Sequence, residues 1–80
     1  MKSTIQIIYC TSWGYLDQAV SLSKSILGKY KNTIQSVDIK PSSGGVFEVL
    51  VDGKNIFSKL EVGRFPNEEE IHSSLASLLT

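Results

Sequence analysis

Eighty residues bound this chain to a single domain near the small end of what folds without metals or disulfides, burying roughly 60% of the surface its unfolded chain exposes. Eight basic and eight acidic side chains cancel, so no global field steers nucleic acid or an anionic membrane toward it, and neither partner is expected. The single cysteine excludes an internal disulfide, supplies no metal framework and fits a reducing compartment, so a cytoplasmic location is expected.

The apolar stretch after Met1-Lys2-Ser3 is too short for a signal-peptide core, and no run approaches the ~18 apolar residues of a membrane-spanning helix. Thr4-Ile5-Gln6-Ile7-Ile8-Tyr9 is rich in β-branched and aromatic side chains, which predicts a strand over about residues 3 to 9. Leu16, Ala19, Val20, Leu22, Ile26, Leu27 and Tyr30 then recur mostly at spacings of three and four, predicting a helix over about 13 to 30. A second strand follows over about 33 to 40, and the order strand, helix, strand implies a parallel pair with a right-handed crossover.

Pro41-Ser42-Ser43-Gly44-Gly45 reads as a loop, because proline removes a donor and the glycines allow positive φ. Two β-rich runs, Val46 to Val51 and Lys54 to Lys59, flank Asp52-Gly53, a strong signal for a type I′ hairpin. A two-residue turn would set Val51 opposite Lys54, Val49 opposite Ile56 and Phe47 opposite Ser58 on one face. On the other face Leu50 would meet Asn55, and Glu48 would meet Phe57. The chain closes on a helix beginning near Pro66-Asn67, with Asn67 as N-cap, Glu70 three residues on, and Ile71, Leu75, Leu78 and Leu79 as its apolar stripe. The expected fold class is α/β, in the order β-α-β-β-β-α, with a four-stranded mixed sheet.

Cys10 is the residue most able to carry chemistry, since the predicted elements put it where a strand gives way to a helix. Unpaired N–H groups and partial positive charge at a helix start favour thiolate over thiol, so Cys10 is expected to be accessible and more acidic than the ~8.5 of free cysteine. Tyr9-Cys10-x-x-Trp13-Gly14-Tyr15 resembles the redox loop of selenoprotein W and its bacterial relatives in the Rdx family, a thioredoxin-like group whose loop carries Cys-x-x-Sec or Cys-x-x-Cys. Gly44-Gly45-Val46-Phe47-Glu48-Val49, Gly53, Ser58-Lys59 and Gly63-Arg64-Phe65-Pro66 resemble the same family in the same order, so the likeness covers nearly the whole chain.

The resemblance implies a thioredoxin-like domain over residues 1 to 80, with Cys10 as redox thiol and position 13 as the second redox residue. Trp13 stands at that position, and tryptophan cannot attack a mixed disulfide. A chain redox-active as written must work as a monothiol, resolved by glutathione or another protein's thiol. Selenocysteine at position 13 is the alternative only if the codon there is UGA. Against thioredoxin, the helix between the second and third strands is replaced by the Ser-Gly loop. One sheet face should therefore be less covered, with Leu50, Phe57 and Ile8 on it as a surface for a homodimer.

The other polar groups carry less. Ser42-Ser43-Gly44-Gly45 lacks the lysine and the strand-loop-helix context of a phosphate-binding loop, although by analogy it lies beside the redox loop, where its backbone would meet a peptide or glutathione. Glu68, Glu69 and Glu70 suit the first turn of a helix, His72 reads as a solvated helix residue, and Arg64 as one half of a surface ion pair. No metal, nucleotide or prosthetic group is indicated. Two functions stand: a small thiol-redox protein working through mixed disulfides or glutathionylation at Cys10, in antioxidant defence or redox signalling, with thiol-disulfide oxidoreductase-like activity; or a non-catalytic protein-interaction module on the same fold.

Overall fold

In a computed structural model of the chain, residues 2–12 and 14–79 are described. Strands β1 (Ser3–Cys10), β2 (Ile34–Ser42), β3 (Phe47–Val51) and β4 (Lys54–Ser58) form one four-stranded sheet in the order β2-β1-β3-β4. β1 and β2 pair in parallel; the other two pairings are antiparallel. Helix α1 (Tyr15–Tyr30) makes the crossover between the parallel strands, a four-residue helix α2 (Lys59–Val62) follows the hairpin, and α3 (Glu68–Leu79) closes the chain. The expected order holds, with α2 as an addition that four residues of ordinary composition do not announce. No helix among the described residues is long and apolar enough to cross a membrane.

Burial alternates along β1 and β3, as a sheet with helices on one face requires. Ile5, Ile7, Phe47 and Val49 are fully buried, whereas Gln6, Ile8, Glu48 and Leu50 between them are half-buried. Ala19, Leu22 and Ile26 of α1 and Ile71 and Leu75 of α3 complete the core. Only part of the predicted helical stripe is used: Leu16, Val20 and Leu27 stay exposed, because the apolar arc of α1 is wider than the surfaces of the sheet and α3 that it meets. Leu78, in the last turn of α3, is likewise exposed.

The hairpin departs from the expected register. Asp52 (φ 51°) and Gly53 (φ 85°) both adopt positive φ, as a type I′ turn demands, and Val51 and Leu50 pair with Lys54 and Asn55 as expected. The register then shifts, so that Val49 meets Phe57 and Glu48 meets Ser58. Ile56 is the extra residue of a β-bulge. The shift turns Phe57 through the sheet onto the helix-covered face, where it is buried. The open face therefore lacks Phe57, and the apolar patch expected of it reduces to half-buried Ile8 and Leu50.

β2 also runs further than expected, through Pro41 and Ser42, which pair with Tyr9 and Cys10. Its place at the sheet edge explains this: only one side of an edge strand has a neighbour, so a residue without an N–H is tolerated there.

Candidate functional site

Topology builds the site. β2 ends beside Cys10 and β3 begins beside Tyr9, on opposite sides of β1, so the connection at residues 43–46 must cross the C-terminal end of β1. Two backbone hydrogen bonds fasten that crossing: the Cys10 N–H donates to the Val46 carbonyl at 2.8 Å and the Thr11 N–H to the Ser42 carbonyl at 3.2 Å. Gly44 and Gly45 carry φ of 80° and 73°, a conformation that L side chains rarely adopt, which lets the connection fold over the thiol within so few residues.

Cys10 is 4% exposed, not accessible as its expected place at a helix start implied. The helix begins only at Tyr15, after residues 11–14, with Gly14 at its N-cap. The thiol's proton affinity is nevertheless lowered: the Ser12 backbone N–H contributes most, then the Gly45 N–H, with the Ser12 hydroxyl adding a smaller share and burial opposing them. The anion-stabilising groups therefore come from the two loops that meet over the sulfur. Trp13 lies outside the described residues.

An aromatic wall stands next to these loops. Tyr15 is buried, its hydroxyl lies 3.9 Å from where a side chain on Gly45 would begin, and its ring meets Phe65 edge-on at 4.7 Å. Phe65 in turn meets Phe47 at 5.4 Å, and the Lys59 ammonium sits 5.5 Å from the centroids of both Tyr15 and Phe65. Sequence reasoning passed over Ser12, Tyr15, Lys59 and Phe65 as site residues. The last three lie inside segments quoted for the family resemblance, which was the available signal.

The remaining candidates are structural. Arg64 grips Glu70 through two N–H···O contacts of 2.6 and 3.0 Å, and Glu70 also accepts the Asn67 N–H while the Asn67 side chain accepts the Glu69 N–H, a capping box. His72 is half-buried, not solvated: its Nε2 lies 2.8 Å from the Ser25 hydroxyl, and its ring tilts against Tyr30 at 5.8 Å, joining α3 to α1. Among the described residues no cluster of three His, Cys, Asp or Glu could hold a metal ion.

The Arg64 guanidinium, helped by the Asn67 N–H, holds the Glu70 carboxyl down to about 2. Because the folded value lies below the ~4.3 of an unfolded glutamate, this contact stabilises fully above about pH 4.5 and is lost as pH falls toward 2. In Arg64→Gln, the stability deficit against the parent should therefore shrink between about pH 5 and pH 2. Urea titrations at stepped pH measure it, and a deficit constant across that range contradicts the assignment.

The profile of the Rdx family matches residues 4–77. The chain belongs to the Rdx family. It is 27% identical over 71 residues to mouse "Migration and invasion enhancer 1", covering 89% of this chain and 60% of that protein; the chain thus spans about 60% or less of the curated relatives it matches first. The structure of a selenoprotein W-related protein from Vibrio cholerae superposes with a TM-score of 0.95 at 26% identity, covering all of both chains. A thioredoxin-like protein from Bacillus cereus superposes at 0.58 with 17% identity, covering 96% of this chain and 88% of that one. The fold of this Rdx protein is thioredoxin-like, with residues 43–46 joining β2 to β3 without a helix.

Proposed function

We propose that this Rdx protein is a monothiol redox protein whose Cys10 exchanges with disulfides, using glutathione or a protein thiol in a reducing cytoplasm as its partner. The observation that carries this is the pair of backbone donors, Ser12 N–H and Gly45 N–H, on a sulfur whose proton affinity they lower. The attacking form is the thiolate. Cys10 S⁻ attacks one sulfur of a disulfide RSSR, the S–S bond breaks, Cys10–S–S–R forms and RS⁻ leaves. A second thiolate, R′S⁻, then attacks the outer sulfur, giving RSSR′ and regenerating Cys10 S⁻. With no thiol at position 13, that second thiolate comes from outside the chain.

Alkylation by iodoacetamide across a pH series tests the proposal. The parent should titrate with a midpoint below the ~8.5 of free cysteine. Ser12→Ala removes the hydroxyl but keeps the larger backbone contribution, so its midpoint should rise toward the free value without reaching it. A parent midpoint at or above ~8.5 rejects the thiolate reading.

The 4% exposure of Cys10 favours a second reading, an interaction module in which the thiol is a packed core residue. Under that reading native protein resists iodoacetamide until denaturant is added.

A further inference from the structure

We infer that Lys59 and the Tyr15 hydroxyl form a recognition point for a carboxylate on the molecule that exchanges with Cys10, so that acidic disulfides are the preferred substrates. This inference rests on the proposed exchange at Cys10. Lys59 lies just after β4 and reaches back over two rings, 5.5 Å from the centroids of both Tyr15 and Phe65. Such a cradle fixes an ammonium in place without neutralising it.

Its charge is uncommitted. Among the described residues the ion pair is Arg64–Glu70, which occupies the neighbouring arginine and leaves Lys59 with no acid partner. Tyr15 adds a donor on the same wall: its hydroxyl makes no hydrogen bond among the described residues and stands beside Gly45, whose N–H bonds the Cys10 sulfur. A hydroxyl donor beside the loop that carries Gly45, with a cation over the ring of the same tyrosine, matches a ligand whose carboxylate lies a short chain from its sulfur. The same ammonium disfavours a cationic disulfide.

Rates of mixed-disulfide formation at Cys10, followed by intact mass, test this with three probes: oxidised glutathione (acidic), hydroxyethyl disulfide (neutral) and cystamine (cationic). In the parent the acidic probe should outpace the cationic one, and rising salt should erode the difference. Lys59→Gln should cut the rate with oxidised glutathione by about fivefold, the size of one charge contact near a surface, and leave hydroxyethyl disulfide unchanged. Lys59→Arg should keep the preference, and Lys59→Glu should reverse it. Near-ultraviolet circular dichroism of each variant should match the parent, reporting an unaltered aromatic wall. Equal response of all three probes to Lys59→Gln overturns the inference while leaving exchange at Cys10 intact. Failure of every probe to react with the native parent overturns the exchange reading itself, and the inference with it.

Discussion

Replacing Phe57 by lysine is expected to unfold the domain at 25 °C. The bulge at Ile56 places Phe57 opposite Val49 on the helix-covered face, 6% exposed. Truncating a buried phenylalanine costs about 3–5 kcal/mol, and an unpaired ammonium in its place adds several more. A chain of this length has a total stability of roughly 4–12 kcal/mol, so little or none remains. Leu50→Lys is the matched comparison, since Leu50 lies on the open face and is half-buried; its cost should stay near about 1 kcal/mol. Thermal unfolding monitored by circular dichroism separates the two registers. A Phe57→Lys protein that melts as cooperatively as the parent would mean that β3 and β4 pair without the bulge.

Trp13→Cys is expected to convert the chain from a monothiol into a dithiol. The expectation comes from the family's Cys-x-x-Cys pattern and from chain length: two intervening residues span at most ~10 Å extended, and any turn brings their neighbours within ~7 Å. That is close to the Cα separation of a disulfide. With hydrogen peroxide as oxidant, two thiols give one disulfide and two waters, so the variant should lose both free thiols by Ellman titration. It should also acquire a two-electron midpoint against glutathione, while the parent forms only intermolecular or glutathione adducts. Cys10→Ser in the Trp13→Cys background should abolish the midpoint. A folded Trp13→Cys protein that keeps both thiols free fails the redox-loop reading, and the interaction module becomes the better account.

The features legible in the sequence were those set locally. The β-branched and aromatic run in Thr4 to Tyr9, the Asp52-Gly53 turn and the Asn67/Glu70 capping box each depend on residues within one turn or strand, and each appears where the pattern puts it. What was not legible depends on partners far along the chain. No composition signal marks the bulge at Ile56, because its benefit, burying Phe57, exists only once the helices cover that face. The extension of β2 through Pro41 needed knowledge that β2 is an edge. At the proposed site, the groups that lower the proton affinity of Cys10 were misassigned. The helix start was credited with an effect that comes from Ser12 and from Gly45, a residue 35 positions away that only the sheet order delivers to the sulfur.

That crossing connection gives one loop two duties. Residues 43–46 fasten the end of β1 to the start of β3 through the bond from the Cys10 N–H to the Val46 carbonyl, and within them Gly45 supplies one of the N–H groups that lower the proton affinity of the sulfur. Any change that displaces this loop is expected to withdraw that donor and raise the proton affinity of the thiol. The acidity of the thiol is thereby tied to strand order, and lengthening residues 43–46 is expected to raise the alkylation midpoint of Cys10.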